Sequence, residues 1–153
     1  MSTIEDKLST LGLELPSQGP PVGNFVSAVR TGNLMFVSGH GPYKDGQYIY
    51  RGKLGEDVDT ATGYEAARLV MLNCLAGLKA EIGDLDRVAR VVRVFGMVNS
   101  TPDFAEQPQV IDGASDLLTE TFGDRGKHAR AAIGMVALPM GISVEIEMVV
   151  EVS

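Results

Sequence analysis

His128-Ala129-Arg130-Ala131-Ala132-Ile133-Gly134-Met135-Val136-Ala137-Leu138-Pro139-Met140-Gly141-Ile142-Ser143-Val144-Glu145-Ile146-Glu147-Met148-Val149-Val150-Glu151-Val152 is the stretch whose reading decides the fold. It reads as two strands joined by a tight turn at Leu138-Pro139-Met140-Gly141. In the second strand Ile142, Val144, Ile146, Met148, Val150 and Val152 alternate with Ser143, Glu145, Glu147, Val149 and Glu151. A period of two buries one face and leaves the carboxylates on the other. The first strand is small or apolar except for Arg130. A guanidinium keeps its charge and is costly to desolvate without a partner, so Arg130 needs a reason to be there. If the pair forms a hairpin turning at Met140-Gly141, Arg130 falls opposite Glu151. Glu145, six residues before Glu151, then lies roughly 20 Å away along the strands, at about 3.3 Å per residue. On that register a neighbouring subunit, not the same chain, would bring Arg130 and Glu145 together.

Working outward, Tyr64, Ala67, Met71, Cys74, Leu75, Leu78 and Ile82 form one apolar stripe of a helix. Thr62-Gly63-Tyr64-Glu65 resembles a capping box, with Asp59 or Thr60 as earlier caps, and Gly83 suits its end. Cys74 on this stripe reads as a packed core thiol. Arg87 to Val98 is valine-rich on both faces, as for a central strand. A second helical region follows Asn99-Ser100-Thr101-Pro102-Asp103, with Pro108 in its first turn and Gly123 as its stop. Upstream, Asn24–Arg30 and Leu34–Ser38 read as a hairpin around Thr31-Gly32-Asn33, and Tyr48–Leu54 as a short third strand. Residues 1–23 read as a short helix over Thr3–Leu15 and a Pro/Gly-rich arm over Pro16–Gly23. Residues 24–153 read as one domain. The order β-β-β-α-β-α-β-β predicts an α+β fold with two helices on one face of a mixed sheet.

Bulk properties narrow the function. The chain has 153 residues, 44% hydrophobic and 22% charged, which suits a single domain. A formal net charge of −7 gives no cationic footprint for nucleic acid or an anionic membrane. No apolar run is long enough to span a bilayer, and the N-terminus lacks the apolar core of a signal peptide. The one cysteine fits a reducing compartment, so a cytoplasmic location is expected. His40, His128 and Cys74 have no metal-ligand spacing, and no metal site is expected.

Gly32-Asn33-Leu34-Met35-Phe36-Val37-Ser38-Gly39, His128-Ala129-Arg130, and Leu138-Pro139 followed by Val144-Glu145-Ile146-Glu147 together resemble the YjgF/RidA family. They occur in the family's order, and the resemblance covers the chain from about Asn24 onward. The arm and the stretch from Gln107-Pro108 to Asp112-Gly113 are similar to a longer-chain subgroup. The resemblance implies a chorismate-mutase-like fold and a homotrimer, with the sheets lining a barrel-like assembly and ligand clefts between subunits. It implies hydrolysis of reactive enamines and imines to 2-oxo acids and ammonia, with neither cofactor nor metal. Arg130 would grip the carboxylate of a small ligand, Glu145 would hold water or move a proton, and the Ser38-Gly39 backbone would line the cleft. Phe25, Asp112 and Ala132 stand where active deaminases of the family carry tyrosine, asparagine and cysteine.

Plain readings stand beside these. Arg130 could be the structural half of an intersubunit ion pair, Glu145 a polar interface residue, and His40 an exposed loop histidine in place of a proton shuttle. Three functions compete: an enamine/imine deaminase, a carboxylate-binding protein of the same fold with little turnover, and an endoribonuclease. The last is disfavoured by the acidic charge, because phosphate contacts dominate nucleic-acid affinity.

Overall fold

In a computed structural model, which describes residues 3–20 and 23–153, the chain forms a five-stranded mixed sheet with helices on one face. Pro21 and Val22 of the expected arm lie outside the described residues. So do Met1 and Ser2 of the expected N-terminal segment.

β5 (Val88–Asn99) is an interior strand, paired on both sides as its valine-rich sequence predicts. It pairs antiparallel with β7 (Val144–Val152) on one side and parallel with β6 (Ala129–Met135) on the other. On the far side of β7 lie β2 (Leu34–His40) and β1 (Ala28–Thr31), so the order is β1-β2-β7-β5-β6. The expected closing hairpin is therefore absent from the sheet. β6 and β7 do not pair, and β5 lies between them. The reason is the connection on either side of β6. β5 returns through a helix, which lays β6 down parallel. The residues between Met135 and Val144 then bridge two strand spacings, about 9.6 Å, where a tight turn spans one. They do so through a 3-10 turn at Pro139–Gly141, in which Met140 and Gly141 have φ of 59° and 69°.

Tyr48–Leu54 is not a third strand of this sheet. Gln47–Tyr48 (β4) pairs only with Tyr43–Lys44 (β3) in a separate two-stranded hairpin. Tyr50 at φ 52° and Gly52 at φ 117° then turn the chain out of extended geometry.

Helix α2 (Thr60–Ile82) begins at Asp59, whose side chain accepts the Thr62 N–H at 2.8 Å, and ends at Gly83. Helix α3 (Gln107–Phe122) has Pro108 in its first turn and stops at Gly123. Gly113 lets the two helices touch, since a Cβ there would strike the Tyr64 carbonyl. The core lies between these helices and the sheet. Val94, Val98, Val144, Ile146, Met148 and Val150 point into it, against Met71, Leu75, Leu78 and Leu117. Cys74 is buried there, with Sγ 3.5 Å from the Ile146 carbonyl, and burial pushes its thiol pKa up. Helix α1 (Thr3–Thr10) is shorter than expected, and its Ile4 and Leu8 join the same core. Its first N–H groups donate to Asp86 at 2.9 and 3.0 Å.

The opposite face of the sheet has no helix over it. Val29, Phe36 and Ile133 stand there 55%, 48% and 41% exposed. Alternation puts them on the same face as Glu145, Glu147 and Met97.

Candidate functional site

The sheet separates the sequence-predicted residues into two groups. Arg130 lies opposite Val94 on β5, and Val94 is fully buried under the helices. Glu145 lies opposite Met97, on the open face. Within one chain the guanidinium and the carboxyl therefore project from opposite sides of the sheet. The sequence-based distance of roughly 20 Å assumed a β6–β7 register that does not form.

The first group gathers at a β-bulge. Between the pairs Val37–Met148 and His40–Ile146, Ser38 and Gly39 stand against the single residue Glu147. The bulge is tied to the entry of β1. The Ser38 N–H donates to the Ser27 carbonyl at 2.8 Å, and Ser38 Oγ donates to the Val26 carbonyl at 2.7 Å. A Cβ on Gly39 would collide with the Glu145 carboxylate, so glycine here makes room for that group. Glu145 is half-buried. Burial, and secondarily the neighbouring Glu147 charge, hold its pKa above the ordinary carboxylate range.

Beside the bulge is a cavity of about 420 Å³, with Phe25, Ser38, Gly39 and His40 at one end. Phe25 is 56% exposed. The His40 ring is largely enclosed, contrary to the exposed-loop reading, and burial lowers its pKa despite a hydrogen bond that pulls the other way. Its Nδ1 lies 2.6 Å from the Ser38 carbonyl. A carbonyl only accepts, so Nδ1 carries the proton, and Nε2 of the neutral ring is an acceptor. Tyr48, also lining the cavity, has its pKa raised by burial, then by Tyr43 and Glu145.

The second group lies on the helix side of edge strand β6. Arg130 Nη1 donates to Asp112 Oδ1 at 2.8 Å and to Ser115 Oγ at 3.1 Å. Asp112 and Ser115 are three apart on α3 and so share one face. Ser115 Oγ is 2.9 Å from His128 Nε2, and His128 Nδ1 is 2.6 Å from the Gly126 carbonyl. The His128 proton therefore sits on Nδ1, and Ser115 donates to Nε2 while accepting from Arg130. Ala132, partly buried, packs against the core one pleat further along. Arg130 is thus half of an ion pair, formed inside the chain with Asp112. Its side chain remains 23% exposed, and Asp112 46%.

Sequence reasoning missed the cavity's other walls. Gln18 comes from the arm, Tyr43 and Tyr48 from the small hairpin, and Asn73 and Glu81 from α2. One signal was present. Asn73 interrupts an apolar helix and is 3% exposed, and it donates to the Tyr43 carbonyl at 2.9 Å. Among the described residues no group of three metal-ligating side chains comes together. Among them, too, no helix is long and apolar enough to cross a membrane.

Comparison with known proteins agrees with this architecture. The family model described as "YjgF/chorismate_mutase-like, putative endoribonuclease" matches residues 5–151. Protein TCP17 of Trypanosoma cruzi is 42% identical over 151 residues, covering 98% of this chain and 94% of its own length. The crystal structure of Atu1372 from Agrobacterium tumefaciens, a protein of unknown function, is 44% identical. It superposes with a TM-score of 0.91 over 98% of this chain and 92% of its own. A crystal structure described as a "putative endoribonuclease" from Shewanella oneidensis is 36% identical, with a TM-score of 0.95 over 99% of this chain and 100% of its own. Sequence motifs, sheet topology and relatives converge, and the chain belongs to the YjgF/RidA family.

Proposed function

We propose that the protein hydrolyses reactive 2-imino and 2-enamino acids to 2-oxo acids and ammonia, in a cleft that two copies of the chain complete. The observation that carries this reading is Glu145. It is a half-buried carboxyl with a raised pKa, seated against Gly39 beside an open cavity. Such a group keeps its proton to higher pH than an ordinary carboxyl, a shift in the direction that acid–base catalysis uses. An enamine first takes a proton at its carbon from the carboxylic acid form and becomes the iminium ion. Water then adds to the iminium carbon and gives up a proton to the carboxylate, leaving the neutral carbinolamine. Its nitrogen takes that proton back, the C–N bond breaks as the hydroxyl gives its proton to the carboxylate, ammonia leaves and the 2-oxo acid remains. No redox change occurs. Arg130 serves as the carboxylate grip, its planar fork suited to two parallel bonds.

Because Glu145 and Arg130 lie on opposite faces of the sheet, one substrate reaches both only if a second copy supplies one of them. The exposed Val29, Phe36 and Ile133 on the open face offer a surface for that contact. A homotrimer, the assembly that the family resemblance implies, is expected in sedimentation equilibrium at micromolar concentration. A monodisperse monomer would remove the shared cleft. The direct test of the reaction is 2-iminopropionate generated in situ. Its conversion to pyruvate and ammonia is expected to be faster with the protein than without, and an unchanged rate would overturn the reading.

A carboxylate-binding role with little turnover is favoured by one specific observation. Asp112 already occupies Arg130 Nη1 and competes with an incoming carboxylate. Phe25 also lacks a hydroxyl that could orient water. Phe25→Tyr with Asp112→Asn is expected to raise turnover about 10- to 100-fold, because one hydrogen bond to a charged or reacting group is worth about 1.5–3 kcal/mol. Both changes nearly conserve shape. No gain, with wild-type turnover already fast, would show that these positions do not limit the chemistry.

A further inference from the structure

The cavity is much larger than the proposed chemistry requires. The reacting atoms of an imino acid need only the part lined by Ser38 and Gly39, the glycine against which the Glu145 carboxylate is seated. From there the space runs along α2, whose wall extends from Asn73 to Glu81, a separation of about 12 Å at 1.5 Å rise per residue. At about 420 Å³ the whole volume falls in the range of pockets that enclose drug-sized ligands, roughly 300–1,000 Å³. A three-carbon imino acid would leave most of it to water.

The walls of this lobe have a consistent chemistry. Phe25 stands at the mouth, and Tyr43 and Tyr48 form an edge-on ring pair with centroids 5.1 Å apart and planes at 67°. Such rings offer a third ring offset or edge-on packing. Among the described residues lining the cavity there is no lysine or arginine, and the only acidic one is Glu81. A ligand side chain carrying a carboxylate would meet no counter-charge there. We propose that the lobe is the side-chain subsite of the substrate, and that the protein prefers 2-imino acids bearing an uncharged aromatic side chain to three-carbon ones. This rests on the deaminase reading for the reaction, though not for the binding.

Gly77 provides the test. It lies on α2 between Asn73 and Glu81, and a Cβ there would lie 2.9 Å from His40 Nε2, 3.0 Å from Ser27 Cβ and 3.2 Å from Gln18 Nε2. The His40 and Gln18 tips can swing aside and Ser27 need give only slightly, so Gly77→Ala displaces two side chains that line the cavity and alters its shape. Alanine also favours the helix more than glycine does, so folding is retained. Two measurements are made on wild type and Gly77→Ala. One is kcat/KM for imines freshly generated from alanine, arginine, phenylalanine and tyrosine. The other is calorimetric binding of pyruvate and of 4-hydroxyphenylpyruvate.

The expected result is at least a tenfold preference for the aromatic imines over the alanine-derived one, falling towards unity in the variant. The aromatic 2-oxo acid is expected to bind at least tenfold tighter than pyruvate, with that advantage likewise reduced. Turnover of every imine without an aromatic preference, or with a preference for the arginine-derived one, would overturn the subsite and leave the deaminase intact. Absent turnover together with selective binding of the aromatic 2-oxo acid would overturn the deaminase and leave the subsite intact. Neither turnover nor binding would overturn both.

Discussion

Glu145→Gln is expected to lower kcat/KM for 2-iminopropionate by about 10²–10⁴-fold, the usual contribution of a positioned acid–base group. Glutamine keeps the shape and can hydrogen-bond to water but cannot carry the proton. Folding stability should respond in the other direction. A carboxyl whose pKa is higher folded than unfolded binds its proton more tightly in the native state. Its stabilising effect is complete below the unfolded pKa and fades as pH rises through the folded one. Above its folded pKa the ionised Glu145 thus weighs against the fold, and there the Glu145→Gln change should leave the melting temperature unchanged or higher. The pH profile gives a third reading. Wild-type kcat/KM should fall on acidification through an apparent pKa above the ordinary carboxylate range, and that limb should vanish in the variant. The groups around Glu145 are Glu147 on its own strand and Tyr48 on β4, with Cys74 on α2 also within its field. Glu147 is a second carboxyl on the same strand face, so loss of the limb in Glu145→Gln is what assigns it to Glu145. A fall in stability alongside activity, with the acid limb retained, would make Glu145 an interface residue only.

Arg130→Lys is expected to be nearly as damaging as Arg130→Ala, each costing about 10- to 100-fold in kcat/KM or in 2-oxo acid affinity. Lysine keeps the charge and can still meet Asp112, but it cannot offer two parallel donors to a carboxylate. The side chain is partly exposed, and Asp112 is more so, which allows the orphaned carboxylate to be hydrated in the alanine variant. The assembly should therefore survive both changes in sedimentation. If Arg130→Ala dissociates it and lysine restores it, the Arg130–Asp112 pair is structural and the carboxylate grip lies elsewhere.

Much of this was legible in the sequence, for reasons that also mark where reading stopped. The alternation in Val144–Val152 assigned the buried face of β7 correctly, and the valine-rich run of β5 marked it as a strand paired on both sides, although the middle of the sheet is β7. The ends of α2 and α3 followed from glycines at Gly83 and Gly123. Periodicity, however, says which face a side chain occupies and nothing about which strand lies beside it. Two adjacent strand patterns joined by Pro-Met-Gly looked like a hairpin, and the insertion of β5 between them is a property of the whole sheet. The same blindness hid the opposition of Arg130 and Glu145 across the sheet. It also hid the cavity, whose walls come from Gln18, Tyr43, Tyr48 and Asn73, far apart in sequence and without a common motif. Asp112 was legible as a departure from the family pattern, yet its contact with Arg130 needed the helix and the edge strand in place.

The sheet that parts Arg130 from Glu145 has a genetic consequence. If each cleft takes its arginine from one chain and its glutamate from another, the two lesions are separable alleles. Neither Arg130→Ala nor Glu145→Gln alone leaves an intact cleft. Co-expressed in equal amounts, chains of the two kinds would assemble at random. About one cleft in four would then draw an intact residue from each parent. Two dead proteins would thus yield a partly active mixture, as complementing alleles do. A site drawn wholly from one chain would give no recovery at all.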